Sequence, residues 1–450
     1  MTLSLGELAK LAETGAIDTL VVADTDMQGR LYGKRLSAAH FLNSGKDGVP
    51  TCSVVLGWGQ DHSLDPGYGF TGWDRGYPDF VSVPDMDTLR SCDWQERTAI
   101  VLSNARGLDG KVVEVSPRAI LKRQLERCAA MGLEPFCVSE LEFFLLRETP
   151  DSLHEKGFSN VIPRHHTMHP ETVIRTSEDE DYTQRLRNAL EKSGIAVEMV
   201  KAEYSPGQVE INLGYGPALE AADAHVLLKT AAKEIALQTG LVASFMAKVD
   251  HALGGSSCHI HMSVRDASGV SVFDDGQGGM SEVMRSFLAG LVLHGRDFFL
   301  LFAPTTNSYK RMIPNTFAPV RIGWAKDNRT VAFRVVGQAL DMRIENRIPG
   351  ADVNPYLAYG AMLAAGLAGV EAGLDLDTAA QDGNAYEAEG GVAIPKDLDE
   401  ATGAFANSEV VAEALGTMVQ SHYATFGRNT SAALQTLVTD VERRVLLLDI

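Results

Sequence analysis

Four short segments of this 450-residue chain place polar side chains, most of them charged or imidazole, two residues apart among strongly apolar neighbours. In PFCVSELEFFLL (135–146), Glu140 and Glu142 alternate with Leu141 and Phe143; in GQVEIN (207–212), Gln208 and Glu210 alternate with Val209 and Ile211. CHIHM (258–262) sets His259 and His261 against Ile260 and Met262, and RIENR (343–347) sets Glu345 and Arg347 against Ile344 and Asn346. Successive side chains of a strand point to opposite faces, so each segment predicts a strand with one apolar and one charged face. One such pair fits the wet face of an antiparallel sheet. Four together imply convergence, and converging carboxylates repel one another unless cations neutralise them. Hard divalent cations such as Mg²⁺ or Mn²⁺ prefer oxygen ligands, Mn²⁺ tolerating an imidazole, and the absence of a cysteine cluster argues against zinc. The candidate ligands are Glu140, Glu142, Glu203, Glu210, Glu345 and His259.

A second constellation, NSYKRMIPNTFAPVRIGWAKDNRTVAFR (307–334), holds Arg311, Arg321, Arg329 and Arg334 among apolar residues. Arginines so placed hold carboxylates or phosphates through their forked donors. The chain has no Walker A loop, and its G-x-G-x-x-G string, GYGFTG (67–72), falls in a turn-rich stretch rather than between a strand and a helix, so a nucleotide has to be held through metal and arginine. Metals plus arginine clamps describe a phosphoryl-transfer site.

The elements that must position these groups follow from composition and pattern. With 45% hydrophobic and 22% charged residues the chain is globular, long enough for more than one domain. Its net charge of −19 disfavours nucleic acid and anionic lipid as partners. Five scattered cysteines without a C-x-x-C pair, and an N-terminus without a secretory pattern, predict a reduced cytoplasmic protein. The apolar stretch 355–370 is too short for a membrane span and reads as a buried helix. Two strands around a turn at Gly29, then strands at 79–83 and 98–102, predict a small β-rich domain ending near residue 110. Ser116-Pro117 opens a helix that Gly132 closes, and residues 111–450 form a larger domain. Helices predicted at 181–193, 218–239, 280–296 and 355–372 mix with the strands in an α+β architecture, with an exposed loop at 373–392.

The segments CVSELEFFLL, GIAVEMVKAEYSPGQVEIN, GSSCHIHMS, NSYKRMIP with APVRIGWAKDNRTVAFR, and RIENRIPGADVNPYLAYGAMLAAGL occur in the order of the glutamine synthetase family, which the chain resembles over residues 136–368. DTDMQGRLYGKRL is similar to the family's small N-terminal β-grasp domain. The resemblance implies a catalytic domain built as an open antiparallel barrel that holds two divalent ions between ATP and glutamate sites. It implies Glu142, Glu203 and Glu210 around one ion and Glu140, His259 and Glu345 around the other. It further implies His261, Arg329 and Arg334 on the ATP phosphates, Glu198 and Ser263 near the nucleotide, Arg311 and Arg347 on the glutamate carboxylate or acyl phosphate, and the Gly255 carbonyl on the substrate amino group. The implied reaction phosphorylates the γ-carboxylate of glutamate and then displaces phosphate with an amine. Stacked six-membered rings, with active sites between subunits, are the implied assembly.

Departures from the family pattern bear on the amine. Where bacterial glutamine synthetases read P-G-Y-E-A-P, this chain has Pro314-Asn315-Thr316-Phe317-Ala318-Pro319, so Phe317 stands in place of the acid that covers ammonium. A phenyl ring offers packing surface to an alkylamine and no carboxylate to NH₄⁺. The family's Asn before Gly255 is Gly254, and its His-His-Glu is Lys201-Ala202-Glu203. Asp74 and Asp79, in a segment similar to the one that lends an amine-site Asp across the subunit interface, are candidate acids, as is the cluster Asp179 to Asp181. Tyr386 stands where some bacterial members carry an adenylylated tyrosine, but the following Leu-Pro is absent and no such regulation is expected. The expected function is a γ-glutamyl amine ligase for methylamine or another small alkylamine. The alternatives are an ammonia-using glutamine synthetase, a polyamine or ethanolamine ligase, and an inactive regulatory relative.

Overall fold

In the computed structural model, residues 2–447 are described apart from 169, 389 and 390. Two curled sheets organise the chain. In the first, the hairpin Thr19–Thr25/Leu31–Ser37 turns at Gly29, whose φ of 76° suits a glycine. Thr19–Thr25 also pairs in parallel with Thr98–Arg106, beside which lie Asp79–Pro84 and Val49–Cys52. Helix Leu5–Glu13, not among the expected elements, covers this β-grasp sheet and buries Leu8 in its core.

The second sheet is barrel-like and carries the charged strands. Its long central strand Leu133–Leu146 pairs antiparallel on one side with Cys258–Asp266 and on the other with Gln208–Leu213, which in turn pairs with Val197–Ala202. Beyond Cys258–Asp266 come Arg343–Asn346, Phe333–Val336 and Trp324–Lys326. The last two run parallel, a departure from a wholly antiparallel barrel. The predicted alternation holds where it matters: Leu141, Phe143, Val209, Ile211, Ile260, Met262 and Ile344 are all buried in the main core.

Helices pack against the apolar face. Those at Pro117–Ala130, Glu180–Lys192, Ala218–Gln238, Glu282–His294 and Pro355–Glu371 lie within two residues of their predicted ends. Ser116 caps the first by position alone, with no side-chain hydrogen bond. Every residue from Pro355 to Leu367 is buried, as expected for a helix apolar on all sides. Its N-cap Asn354 donates to the carbonyls of Asp26 and Met27 at 3.2 Å and so ties the barrel to the first sheet's hairpin turn. Arg118 makes a second tie, to Asp223 at 2.9 Å and Asp85 at 2.7 Å. Among the described residues no helix is long and apolar enough to cross a membrane. All five cysteines are free.

Helices Glu282–His294 and Pro355–Glu371 touch through glycines: a Cβ on Gly369 would lie 2.1 Å from the Ser286 carbonyl oxygen. Both atoms belong to backbones, so a methyl group can enter only if the helices separate. Gly369→Ala is therefore expected to lower stability by about 1–3 kcal/mol, read as a reduced denaturation midpoint in urea. An unchanged midpoint would refute the close approach.

Candidate active site

The charged faces of the four strands meet inside the barrel, and register explains how. Glu142 stands opposite Glu210, Glu140 opposite His259, and His261 opposite Glu345. Two clusters result. In each, the ligand atoms of three residues lie within 4.8 Å of one another: Glu142, Glu203 and Glu210 in one, Glu140, His261 and Glu345 in the other. The wet-face alternative is excluded by burial, since Glu142, Glu210, His259, His261 and Glu345 are all buried, Glu345 to 1% exposure.

In the first cluster Glu142 accepts hydrogen bonds from the Ser257 amide (2.8 Å), the Ser257 hydroxyl (2.6 Å) and Gln208 Nε2 (3.0 Å). Burial, and then the charge of Glu203, still push its carboxyl well up; burial and then Glu142 do the same to Glu210. The unsatisfied need of this cluster is for positive charge, which fits a divalent cation on oxygen ligands.

Around the second cluster positive groups are already dense. His261 Nε2 lies 2.8 Å from Glu140, while Arg343 Nε donates to His261 Nδ1 at 3.1 Å, so Nε2 is the nitrogen that faces the carboxylate with its proton. His259 Nδ1 is 3.4 Å from Glu140 and 3.5 Å from Glu345. The expectation from sequence is His259 in this triad and His261 on the nucleotide; the ligand atoms within 4.8 Å of one another come from Glu140, His261 and Glu345, and His259 stands beside them within reach of both carboxylates. Against burial, which acts to raise it, the two imidazoles hold Glu140 far below the usual carboxyl range. Burial and then Arg347 press the His259 imidazole down to about 4, leaving it neutral and able to ligate a metal. Arg334 Nη1 reaches Glu345 at 3.0 Å, and Arg347 contacts its other oxygen.

Other expected residues are distributed unevenly. Glu140, Glu198, Asn212, Tyr215, His261 and Arg343 line a cavity of about 300 Å³, and Ser263 joins it by bonding the Tyr215 hydroxyl. Arg311 is buried and donates to the carbonyls of Arg347 (3.2 Å) and Pro349 (3.0 Å). The Nε atoms of Arg311, Arg334 and Arg347 are buried without a protein partner. Gly255 must be glycine: its Cβ would fall 2.3 Å from Arg311 Cγ, and its carbonyl accepts from Gln208 at 3.0 Å. Arg329 is exposed, and so are Asp74 and Asp79, which lie outside both clusters. Asp179 is buried, with Arg164 Nε and His165 Nε2 each at 2.8 Å, so it serves a local ion network.

Phe317 is 60% exposed with φ of 59°. Its carbonyl accepts from Arg347 Nη2 at 3.5 Å, and the Tyr386 hydroxyl donates to the Ala318 carbonyl at 3.0 Å. Arg343, Tyr215 and Asn212 line the cavity without being among the residues expected from sequence. Arg343 does carry a sequence signal, since it shares the period of two with Glu345 and Arg347.

A strand-built pair of carboxylate clusters in a barrel behind a β-grasp sheet defines the class. The model of the glutamine synthetase catalytic domain matches residues 114–446, and the chain belongs to the glutamine synthetase family. It is an ATP-dependent carbon–nitrogen ligase of the γ-glutamyl amine kind. Among curated relatives it is 43% identical over 443 residues to the γ-glutamylethanolamide synthetase GlnA4 of Streptomyces coelicolor, covering 98% of this chain and 95% of the relative. It is 38% identical over 415 residues to the glutamate–isopropylamine ligase of a Pseudomonas species, covering 91% and 90%. The solved structure of apo GmaS superimposes with a TM-score of 0.85 at 28% identity, covering 98% of this chain and 99% of that one.

The first cluster generates a pH prediction. A carboxyl whose pKa is raised by folding contributes stability that is fully present below its ordinary value of 4.5 and is lost as pH rises through the raised one. Glu142 and Glu210 therefore destabilise the metal-free protein increasingly at alkaline pH. Added Mn²⁺ is expected to raise the melting temperature more at about pH 8.5 than at about pH 5.5, by scanning fluorimetry. An equal rise at both would refute the assignment of this cluster to metal.

Proposed function

We propose that this enzyme joins the γ-carboxylate of L-glutamate to a small primary amine, ethanolamine first and a short alkylamine such as methylamine second. The observation that carries the reading is Phe317, a phenyl on the flap where ammonia-using relatives place an acid. The names of the two curated relatives support a substituted amine and rank ethanolamine ahead of methylamine.

Glu142, Glu203 and Glu210 would hold one Mg²⁺ or Mn²⁺, and Glu140, Glu345 and a histidine, His259 or His261, the other. When bound, such ions supply charge neutralisation to phosphoryl oxygens. The remaining work falls to the chain's own residues. Arg334 and Arg347, both gripping Glu345, stand ready to stabilise charge on the transferred phosphoryl group, their free Nε donors included. Arg311 and the Gly255 carbonyl would serve the glutamate end, Glu198 and His261 line the cavity that would take the nucleotide, Ser263 reaches it through Tyr215, and Arg329 would contact the phosphates. In the first step a γ-carboxylate oxygen attacks the γ-phosphorus of ATP and ADP leaves; in the second the amine nitrogen attacks the acyl carbon of γ-glutamyl phosphate and phosphate leaves. Asp74 and Asp79 are exposed, as groups lent to a neighbouring subunit's amine site would be.

A β-grasp domain of residues 1–110, a catalytic domain of residues 111–450 and a cytoplasmic location belong to the same reading. So do stacked hexameric rings, supported by the exposed apolar series Leu437, Val438, Val441, Val445 and Leu447 at the C-terminal end. Truncation after Gln435 is expected to reduce the particle mass seen by light scattering. An unchanged mass would remove this segment from the assembly.

Phosphate release from Mg-ATP and glutamate, measured with ammonia, methylamine, isopropylamine, ethanolamine and putrescine, tests the reaction. Ethanolamine or a short alkylamine should give the highest kcat/KM; preference for ammonia would overturn the reading. Phe317→Glu should raise the ammonia-to-ethanolamine ratio by about tenfold or more. An unchanged ratio would show that residue 317 does not choose the amine.

A further inference from the structure

The strand Val197–Ala202 forms the edge of the barrel sheet, and its register puts Lys201 directly opposite Glu210, as the next register puts Glu210 opposite Glu142. Lys201, Glu210 and Glu142 are thus one cross-strand row, and Glu203 follows two residues after Lys201. The Lys201 ammonium contacts Glu203, lies 3.6 Å from Glu210 and reaches Glu171 at 3.3 Å. Two of its three carboxylate neighbours, Glu203 and Glu210, therefore belong to the first cluster, and the register carries the row on to the third member, Glu142.

We propose that Lys201 is a fixed cationic member of the Glu142–Glu203–Glu210 site, balancing the third carboxylate so that the site is matched to a single divalent ion and binds it less tightly than three bare carboxylates would. The proposal rests on reading this cluster as a metal site. Three carboxylates carry three negative charges and a divalent ion returns two; Lys201 supplies the last. The other cluster solves the same problem with Arg334 and Arg347 on Glu345, so both ends of the site carry built-in positive charge. Lysine suits this edge position because its ammonium is a point charge on a flexible stem, free of the planar geometry an arginine imposes. Glu171, whose side chain is 72% exposed, anchors that ammonium from the solvent side and limits how far it enters the cluster. Attraction to three carboxylates and repulsion from an incoming cation both act over a few ångströms in a partly buried setting, where charges are poorly screened.

Mn²⁺ binding to the full-length protein by isothermal titration calorimetry tests the idea. Lys201→Met should bind Mn²⁺ about tenfold tighter at one site, while Lys201→Arg keeps affinity near that of the unaltered protein. Glu171→Gln should weaken the same site about threefold, because the ammonium is no longer drawn outward. Unchanged or weaker binding in Lys201→Met overturns the proposal. If that variant does not fold, Glu171→Gln decides, since its position is exposed, and unchanged or tighter binding there overturns it equally. Glu203→Gln separates the two layers of argument. If it leaves Mn²⁺ stoichiometry and affinity untouched, the metal reading fails and the Lys201 proposal with it. If it loses a site while Lys201→Met titrates like the unaltered protein, only the role of Lys201 fails.

Discussion

Glu140, Glu142, Glu203, Glu210 and Glu345 stand together on the inner face of one sheet, and an ionised carboxylate taken from water without a partner is among the costliest groups a protein can bury. Nearly every other feature of the barrel answers that cost. Ser257 and Gln208 spend their donors on Glu142, two imidazoles flank Glu140, and Arg334 and Arg347 divide the oxygens of Glu345. The apolar face of the same strands is packed by the buried helix Pro355–Glu371 and its neighbours, which keeps the strands close enough for the charges to converge. Stability and chemistry therefore make opposite demands on one set of side chains, and the arginines and histidines reconcile them.

The two clusters are compensated to different degrees. Against burial, Glu140 is held ionised by its two imidazole partners and Glu345 by the histidines and Arg347, whereas Glu142 and Glu210 are driven toward the protonated form by burial and by neighbouring carboxylates. A site of the first kind keeps its charge through ordinary changes of pH. A site of the second kind would couple metal to protons, because any cation that entered would have to displace them.

The period of two made the charged faces legible from sequence, because a strand's alternation is a property of the backbone. The long helices were legible for the same kind of reason. What alternation cannot give is register. Nothing in CHIHM says that His261 rather than His259 faces Glu345 across the ladder, or that Lys201 stands opposite Glu210; those depend on how separate strands slide past each other. The ties between the two sheets were equally hidden. Arg118 bridges Asp85 and Asp223, 33 and 105 residues away, and Asn354 finds Asp26 across 328, and no local pattern encodes such partners. Helix Leu5–Glu13 escaped because it is only nine residues long and buries just Leu8, so its apolar stripe is thin.

The flap at 313–319 is held by its main chain. Arg347 grips the Phe317 carbonyl, Tyr386 the Ala318 carbonyl, and the Thr316 hydroxyl the carbonyl of Ile313. The side chain of Phe317 takes no part in these contacts and projects largely into solvent. Residue 317 can therefore be exchanged without dismantling the loop that presents it. Where residue 317 chooses the amine, as proposed, the fold separates the scaffold of the nucleophile's entrance from its selectivity, and a lineage of such ligases would drift from one amine to another by single substitutions that leave the barrel's charged clusters untouched.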